Sequence, residues 1–350
     1  MMRNGKLFLA GLVVVFLGAG CAQKVQVKAI KSAEVSDSSI KNIAVLPFEN
    51  DLVSQSSAID SALENHTLNG KKYFNVIDRK NLEKIIAEKK LNDSGLVELI
   101  NNDGSMGLKE IETLVTGEVA HNSVSPSYYF EERTDYSQCV KNEVNSKGKT
   151  VCKEYKKYTV KCVSNLYVLT TNVKFIKVAD SGVIFAKSFT ENSKFSHCSD
   201  DSKILPVKEV VNTELASKIA KDLIKIVAPS YLYFSVTILD DEDIDFEKEQ
   251  SKQLEVAIEL IKKDRVEKAN EMLKGLNNSL SSRSYTVLYD LAVTEEVLGN
   301  IYKANDLYRE AENIALQRGE VIDEISYAIK RVAQNISEFE KAQKQINSLK

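Results

Sequence analysis

The feature that most constrains this chain is its first twenty residues, because they decide the compartment in which the rest folds. Arg3 and Lys6 form a short positive region. Leu7 to Leu17 follow as an uncharged apolar run, and Gly18-Ala19-Gly20 are small residues set directly before Cys21. This is the three-part layout of a secretory signal. The apolar run is too short to hold a bilayer as a helix, which needs ~20 residues. The expectation is an exported chain whose mature part begins at Cys21. Four cysteines then remain, Cys139, Cys152, Cys162 and Cys198. An even number in an oxidising compartment reads as two disulfides.

The stretch Leu17-Gly18-Ala19-Gly20-Cys21 resembles the lipobox of bacterial lipoproteins, with the leucine one position further from the cysteine than the usual pattern places it. The resemblance implies a signal peptide over 1–20 and lipid on Cys21. Position 22 is Ala22 rather than aspartate, which by the sorting rules of such proteins implies the periplasmic face of the outer membrane. No second apolar run of spanning length follows, so the membrane is expected to be reached through the N-terminal lipid.

Charge and chemistry narrow the function classes. The chain has 47 Lys+Arg against 50 Asp+Glu and no basic patch, so nucleic acid is not an expected partner. Its histidines are His66, His121 and His197, and only His197-Cys198 joins two potential ligands. A disulfide with an exposed neighbour is the ordinary reading of that pair. Gly148-Lys149-Thr150 imitates the end of a phosphate loop, but Glu143 stands where its first glycine belongs and no helix is expected after it. Gly104-Ser105-Met106-Gly107 lacks the strand and spacing of a nucleophile elbow. Paired carboxylates read as solvated faces. The expectation is a protein that is not an enzyme and has no cofactor, metal site or catalytic residue.

About 330 residues follow the signal, enough for two domains. Residues 21–40 are polar and serine-rich and are expected to form a lipidated flexible tether. Residues 41–228 read as an α/β domain. Ile43 to Phe48 is an apolar β-run, Ser57 to Leu68 is helical with Ile59 and Leu63 four apart, and Tyr73 to Ile77 is a second strand. Asp78 is expected to cap a helix carrying Leu82, Ile85 and Ile86, and Ile111 to Val119 returns to strand. Val163 to Val178 and Val183 to Phe195 are β-rich runs around the turn residues Asp180-Ser181-Gly182. A helix from about Pro206 to Val227 shows Val211, Leu215, Ile219, Leu223 and Ile226 on one face. Residues 229–245 hold a strand from Tyr231 to Leu239 and an acidic linker, and 246–350 are helical.

That last segment repeats itself. Ala257 and Ala269 recur as Ala292 and Ala304, 35 positions later. The period is close to the 34-residue helix-turn-helix of tetratricopeptide repeats. In the second copy, Leu291, Ala292, Gly299, Ala304, Tyr308 and Ala311 fall at that family's small and bulky positions; the first copy has Asp264 where the turn glycine would be. Such stacks usually present a groove to another protein.

The central segment resembles the curli secretion and holdfast anchor lipoproteins (the CsgG/HfaB family). The resemblance rests on Ile43-Ala44-Val45-Leu46-Pro47-Phe48, on Phe74-Asn75-Val76-Ile77-Asp78-Arg79, and on Leu82, Ile85, Glu88 and Leu91 before Ser94-Gly95-Leu96. It continues through Thr116-Gly117-Glu118-Val119 and the hairpin ending Asp180-Ser181-Gly182-Val183-Ile184-Phe185-Ala186. It covers roughly Lys41 to Ala228. Together with the repeat it implies an α+β chain: a three-layer-like α/β periplasmic domain with long antiparallel hairpins, then an all-α tetratricopeptide-like domain. The implied function is that of a structural or accessory subunit in assembling or secreting a cell-surface structure, homo-oligomeric and with protein partners on the helical repeat. The alternative is a lipoprotein that binds and activates a peptidoglycan synthase.

Pore-forming members of that family thread two hairpins per subunit through the membrane. A spanning strand needs ~9–11 residues alternating apolar and polar. The first candidate here, Tyr128 to Tyr158, is dense in Lys, Arg, Asp and Glu, and little chain separates Phe195 from the last helix of the domain. The chain is therefore expected to lack a barrel. Cys139 and Cys152 are symmetric about Asn145-Ser146, and Cys162 and Cys198 about Asp180. Hairpin geometry then predicts bridges Cys139–Cys152 and Cys162–Cys198.

Overall fold

A computed structural model describes residues 23–77 and 111–348. In chain order they form β1 (Lys24–Lys31), a 3-10 turn (Ser38–Lys41), β2 (Asn42–Val45), α1 (Gln55–Asn65), β3 (Thr67–Leu68), β4 (Lys71–Lys72) and β5 (Asn75–Val76). Then come β6 (Thr113–Val144), β7 (Thr150–Lys177), β8 (Val183–Cys198), α2 (Lys208–Val227) and β9 (Ser230–Thr237). Five helices close the chain: α3 (Lys248–Lys262), α4 (Val266–Ser279), α5 (Tyr285–Val297), α6 (Ile301–Gln317) and α7 (Asp323–Ser348). The fold is mixed α/β with helices at the C-terminus, and it divides into two compact units.

One unit comprises Ile30–Ser230 and Glu338–Lys350. Its five-stranded sheet runs β5-β2-β6-β7-β8. Strand β2 lies parallel to both β5 and β6, and β6, β7 and β8 are antiparallel. A strand with parallel neighbours on both sides needs apolar residues on both faces. Ile43 and Val45 of β2 join the main core, and Ala44 joins a small cluster with Ile111 and Leu114.

Helices α1 and α2 supply the main core's other wall. Ile59 and Leu63 of α1 are fully buried, as are Val211, Leu215, Ile219 and Leu223 along one stripe of α2. The carboxylate of Asp51 accepts from the Gln55 and Ser56 amides at 2.6 and 2.9 Å, satisfying donors that the first turn of α1 leaves free. The described residues thus supply two of the three expected layers. Asp78, Leu82, Ile85 and Ile86, and the family words from Glu88 to Leu96, lie outside the described residues.

Gly117 explains itself here. A Cβ at this position would lie 2.3 Å from the Asn172 carbonyl oxygen and 2.7 Å from the Phe48 ring. Phe48, which follows β2, and Gly117 of β6 therefore meet at one close contact.

The other unit comprises residues through Ala29 and Tyr231–Ser337. Strands β1 and β9 pair as a two-stranded sheet. Val25, Val27 and Val236 enter the same core as Leu254, Ala257, Leu273, Leu288 and Ala292. Helices α3 and α4 turn at Asp264, and α5 and α6 turn at Gly299. Both turn residues are left-handed, at φ 56° and 83°. Glycine adopts that conformation without cost, whereas aspartate is one of the few side chains that tolerate it. Ala257, Ala269, Ala292 and Ala304 are all fully buried.

Three expectations are corrected. The segment expected to be a flexible tether is built into the fold. Its residues form β1, Glu34 and Val35 amides donate to the Ile226 carbonyl at 2.8 and 3.0 Å, and Gln345 exchanges two hydrogen bonds with the Ala33 backbone. The acidic linker is likewise no open linker, since Asp243 is buried to 1 % side-chain exposure against Arg318. Paired carboxylates are not all solvated either: Glu295 and Glu296 are each 1 % exposed. Helix α5 is enclosed on every side, so it has no polar face on which to place them.

Candidate functional site

The most distinctive construction is the hairpin of β6 and β7. At ~3.3 Å per residue, the 32 residues of β6 reach about 100 Å. Strand β8 accompanies β7 only as far as Cys162, which pairs with Cys198. Beyond that point β6 and β7 continue alone, from the Phe130–Lys161 pair to the Val144–Thr150 pair, as a two-stranded ribbon.

Two disulfides bracket the ribbon. Cys162–Cys198 closes its base, with Cα atoms 4.0 Å apart. The partners stand directly opposite, as the symmetry about Asp180 predicts. Cys139–Cys152 staples the tip, with Cα atoms 5.7 Å apart. Here the symmetry argument finds the right pair through the wrong register. The tip turn centres on Lys147, because Val144 faces Thr150, and Cys152 therefore faces Asn142. Irregularities between Asp135 and Asn142 bring Cys139 back within reach. At one of them the Asp135 carboxylate accepts from the Ser137 hydroxyl and amide at 2.6 and 2.9 Å. Those hydrogen bonds hold its carboxyl below the usual carboxylate range.

The ribbon's faces are charged on both sides. Directly opposed residues share a face. Phe130 and Lys161 oppose each other, as do Glu132 with Thr159 and Thr134 with Lys157; the other face carries Glu131, Arg133, Asp135 and Lys156. Lys157 pairs with Glu132 at 2.7 Å and Lys153 with Glu143 at 2.6 Å. Between these charges, Tyr128, Phe130 and Tyr136 are 80 %, 69 % and 76 % exposed. At the base, Arg133 lies 3.2 Å from Glu131 and 3.5 Å from Asp201. Tyr158 donates to Asp200 at 3.2 Å; desolvation and that acidic neighbour push its phenol up.

The remaining candidates find ordinary roles. Glu131 gathers with the sulfurs of Cys162 and Cys198, but both sulfurs are in a disulfide and offer no thiolate to a metal. The His197 ring nitrogen Nδ1 is 2.6 Å from the Lys203 carbonyl, and His66 Nε2 is 2.9 Å from that of Pro229. Burial lowers the pKa of His66, which packs edge-on to Tyr73. Gly148-Lys149-Thr150 forms the ribbon tip, where Gly148 takes φ 72°. A cleft of 430 Å³ lies on the sheet, lined by Glu49, Thr116, Glu118, Asn172, Lys174 and Ser188 among others. Gly104 to Gly107 and Cys21 lie outside the described residues. No helix among the described residues is long and apolar enough to cross a membrane.

Sequence reading missed a buried ionic network in the helical unit. The Glu295 carboxylate accepts from Asn270, Asn300, Lys274 and Lys303 at 2.7 to 3.1 Å. Burial alone would raise its pKa, but these hydrogen bonds outweigh it and hold the group at about 2. Glu296 accepts from Arg331 and from the Tyr308 hydroxyl at 2.8 and 2.9 Å. Asp290 is fully buried; one oxygen accepts from the Leu239 amide at 3.0 Å and the other has no partner among the described residues. Desolvation raises its carboxyl well above the ordinary value.

No protein-family model matches the sequence, and no curated protein matches it either. Among solved structures, the chain is similar to the PelC dodecamer from Paraburkholderia phytofirmans at 11 % identity and a TM-score of 0.22, over 58 % of this chain and 97 % of that one. It is also similar to a PDZ domain protein from Parabacteroides distasonis at 13 % identity and a TM-score of 0.19, over 62 % and 40 % of the two chains. Overlaps this slight do not bear on what the chain does.

Proposed function

We propose that this chain is a lipid-anchored, non-enzymatic subunit of the outer membrane's periplasmic face, serving the assembly or secretion of a cell-surface structure in the manner of the curli secretion lipoproteins. The observation that carries the reading is the ribbon. A chain that extends its β6–β7 hairpin beyond its own sheet, from Phe130 to Val144 of β6, and staples both ends presents strand surface to other molecules. Exposed aromatic residues among alternating charges fit contact with protein rather than with hydrocarbon. Lys or Arg at a bilayer midplane costs ~2–4 kcal/mol each, and neither ribbon face is free of charge, so the subunit works without a barrel of its own. The helix pairs that turn at Asp264 and Gly299 are read as tetratricopeptide-like repeats that receive a protein partner.

Deleting the coding sequence from its host tests this reading. The surface structure should be lost or retained in the periplasm, while peptidoglycan cross-linking stays unchanged. Altered peptidoglycan with an intact cell surface would favour the synthase-activator alternative and overturn the reading.

A further inference from the structure

The outward face of the β1–β9 sheet has a chemistry of its own. Side chains alternate along β1: Val25 and Val27 are buried, while Lys24, Gln26 and Lys28 are exposed. The partners of these exposed residues on β9 are given by direct contacts. Gln26 Nε2 donates to Ser235 Oγ at 3.3 Å, and Lys28 Nζ sits 3.6 Å from the centre of the Tyr231 ring. Tyr231, Tyr233 and Ser235 therefore share the face with Lys24, Gln26 and Lys28, and Tyr233 is 62 % exposed. Over Lys24–Lys28 and Tyr231–Ser235 the face holds two lysines, two tyrosines and two uncharged polar residues, and no acidic one.

We propose that this face docks on anionic phospholipid headgroups. The inference rests on the lipid anchor at Cys21 proposed above. Chain length supplies the decisive constraint. Whatever conformation the intervening residues take, Lys24 follows Cys21 by three positions, which span at most ~10 Å. Acyl chains on Cys21 in the periplasmic leaflet of the outer membrane therefore hold β1 at the headgroup layer. Tyrosine is suited to that layer, because its ring is apolar and its hydroxyl stays wet. Lysine near an anionic surface is attracted to it, and its stem can lie along apolar groups while the ammonium reaches the phosphates. The reverse of the same sheet packs on the helical core through Val25, Val27 and Val236.

The absence of tryptophan from the chain gives a clean assay. Tyr233→Trp is introduced into the full lipidated protein, which is reconstituted in phosphatidylcholine vesicles containing phosphatidylglycerol and a headgroup-depth spin-labelled lipid. Tyr327→Trp, at a position 69 % exposed on α7, and Tyr136→Trp on the ribbon are the comparisons. The Tyr233→Trp protein should show blue-shifted emission and several-fold stronger quenching than either comparison, and adding Lys24→Glu and Lys28→Glu should remove most of that difference. The mass of the N-terminal peptide is measured on the same sample. Lipid on Cys21 with water-like, unquenched emission would overturn the docking face and leave the anchor standing. An unmodified Cys21 would overturn the anchor and the docking face with it. Emission shielded from iodide but untouched by the lipid quencher would mean that protein covers the face, and would also overturn the proposal.

Discussion

Replacing Glu295 by glutamine is expected to destabilise the helical unit at neutral pH, and the loss should disappear in acid. The carboxyl is held at about 2 against an ordinary 4.5. At ~1.4 kcal/mol per pH unit, that difference favours the folded state by about 3 kcal/mol at neutral pH. Asn270 donates to Oε1 and Asn300 to Oε2, so glutamine keeps an oxygen for only one of them and turns its amide nitrogen to the other, while Lys274 and Lys303 are half-exposed and can turn to water. The expected loss is therefore about 2–3 kcal/mol. The sign follows from the depressed value. Stability from such a group is complete above the unfolded pKa and is lost as pH falls through the folded one, so the gap between wild type and E295Q should close between 4.5 and about 2. Urea unfolding followed by the helical far-ultraviolet signal across that range measures it. A gap that stays constant with pH, or no gap at neutral pH, would refute the argument.

Asp290→Asn should act in the opposite direction. Asp290 carries a raised carboxyl, so its folded form is favoured when protonated, and that stability is lost as pH rises from its ordinary 3.8 through the folded value. The variant should unfold at higher urea than wild type at neutral pH and lose this advantage in acid; a less stable variant at neutral pH would contradict the burial argument. Gly117→Ala should cost about 1–3 kcal/mol through overpacking against Phe48 and the Asn172 carbonyl, read as a lower urea midpoint. Replacing Cys139 and Cys152 together by serine should speed proteolysis of the ribbon tip while leaving thermal unfolding of the sheet nearly unchanged. Unaltered cleavage rates would show that the staple does not order the tip.

What could be read from the sequence were features with a short period or a local symmetry. The stripe from Val211 to Leu223 fixed one face of α2, and the mirror spacing of Cys162 and Cys198 about Asp180 fixed a register. The tip pair was legible only as a pair, because the irregularities between Asp135 and Asn142 follow no spacing rule that a symmetric hairpin would suggest. Strand β1 was hidden because its partner β9 lies some two hundred positions away, and its Lys-Val-Gln-Val-Lys alternation is short. Glu295 and Glu296 were misread because a helix buried on every side has no amphipathic stripe to mark which of its polar residues face inward. The Glu295 partners Asn270, Lys274 and Lys303 come from α4 and α6, and the Glu296 partners Tyr308 and Arg331 from α6 and α7, so the network exists only after packing.

The central claim is a lipid-anchored export subunit whose ribbon stays out of hydrocarbon, and planar-bilayer recording on the purified, lipidated full chain tests it most directly. The charges on both ribbon faces predict no stable conductance steps, and deletion of residues 128–158 should leave membrane partition unchanged. Reproducible conductance that vanishes on that deletion would contradict the account.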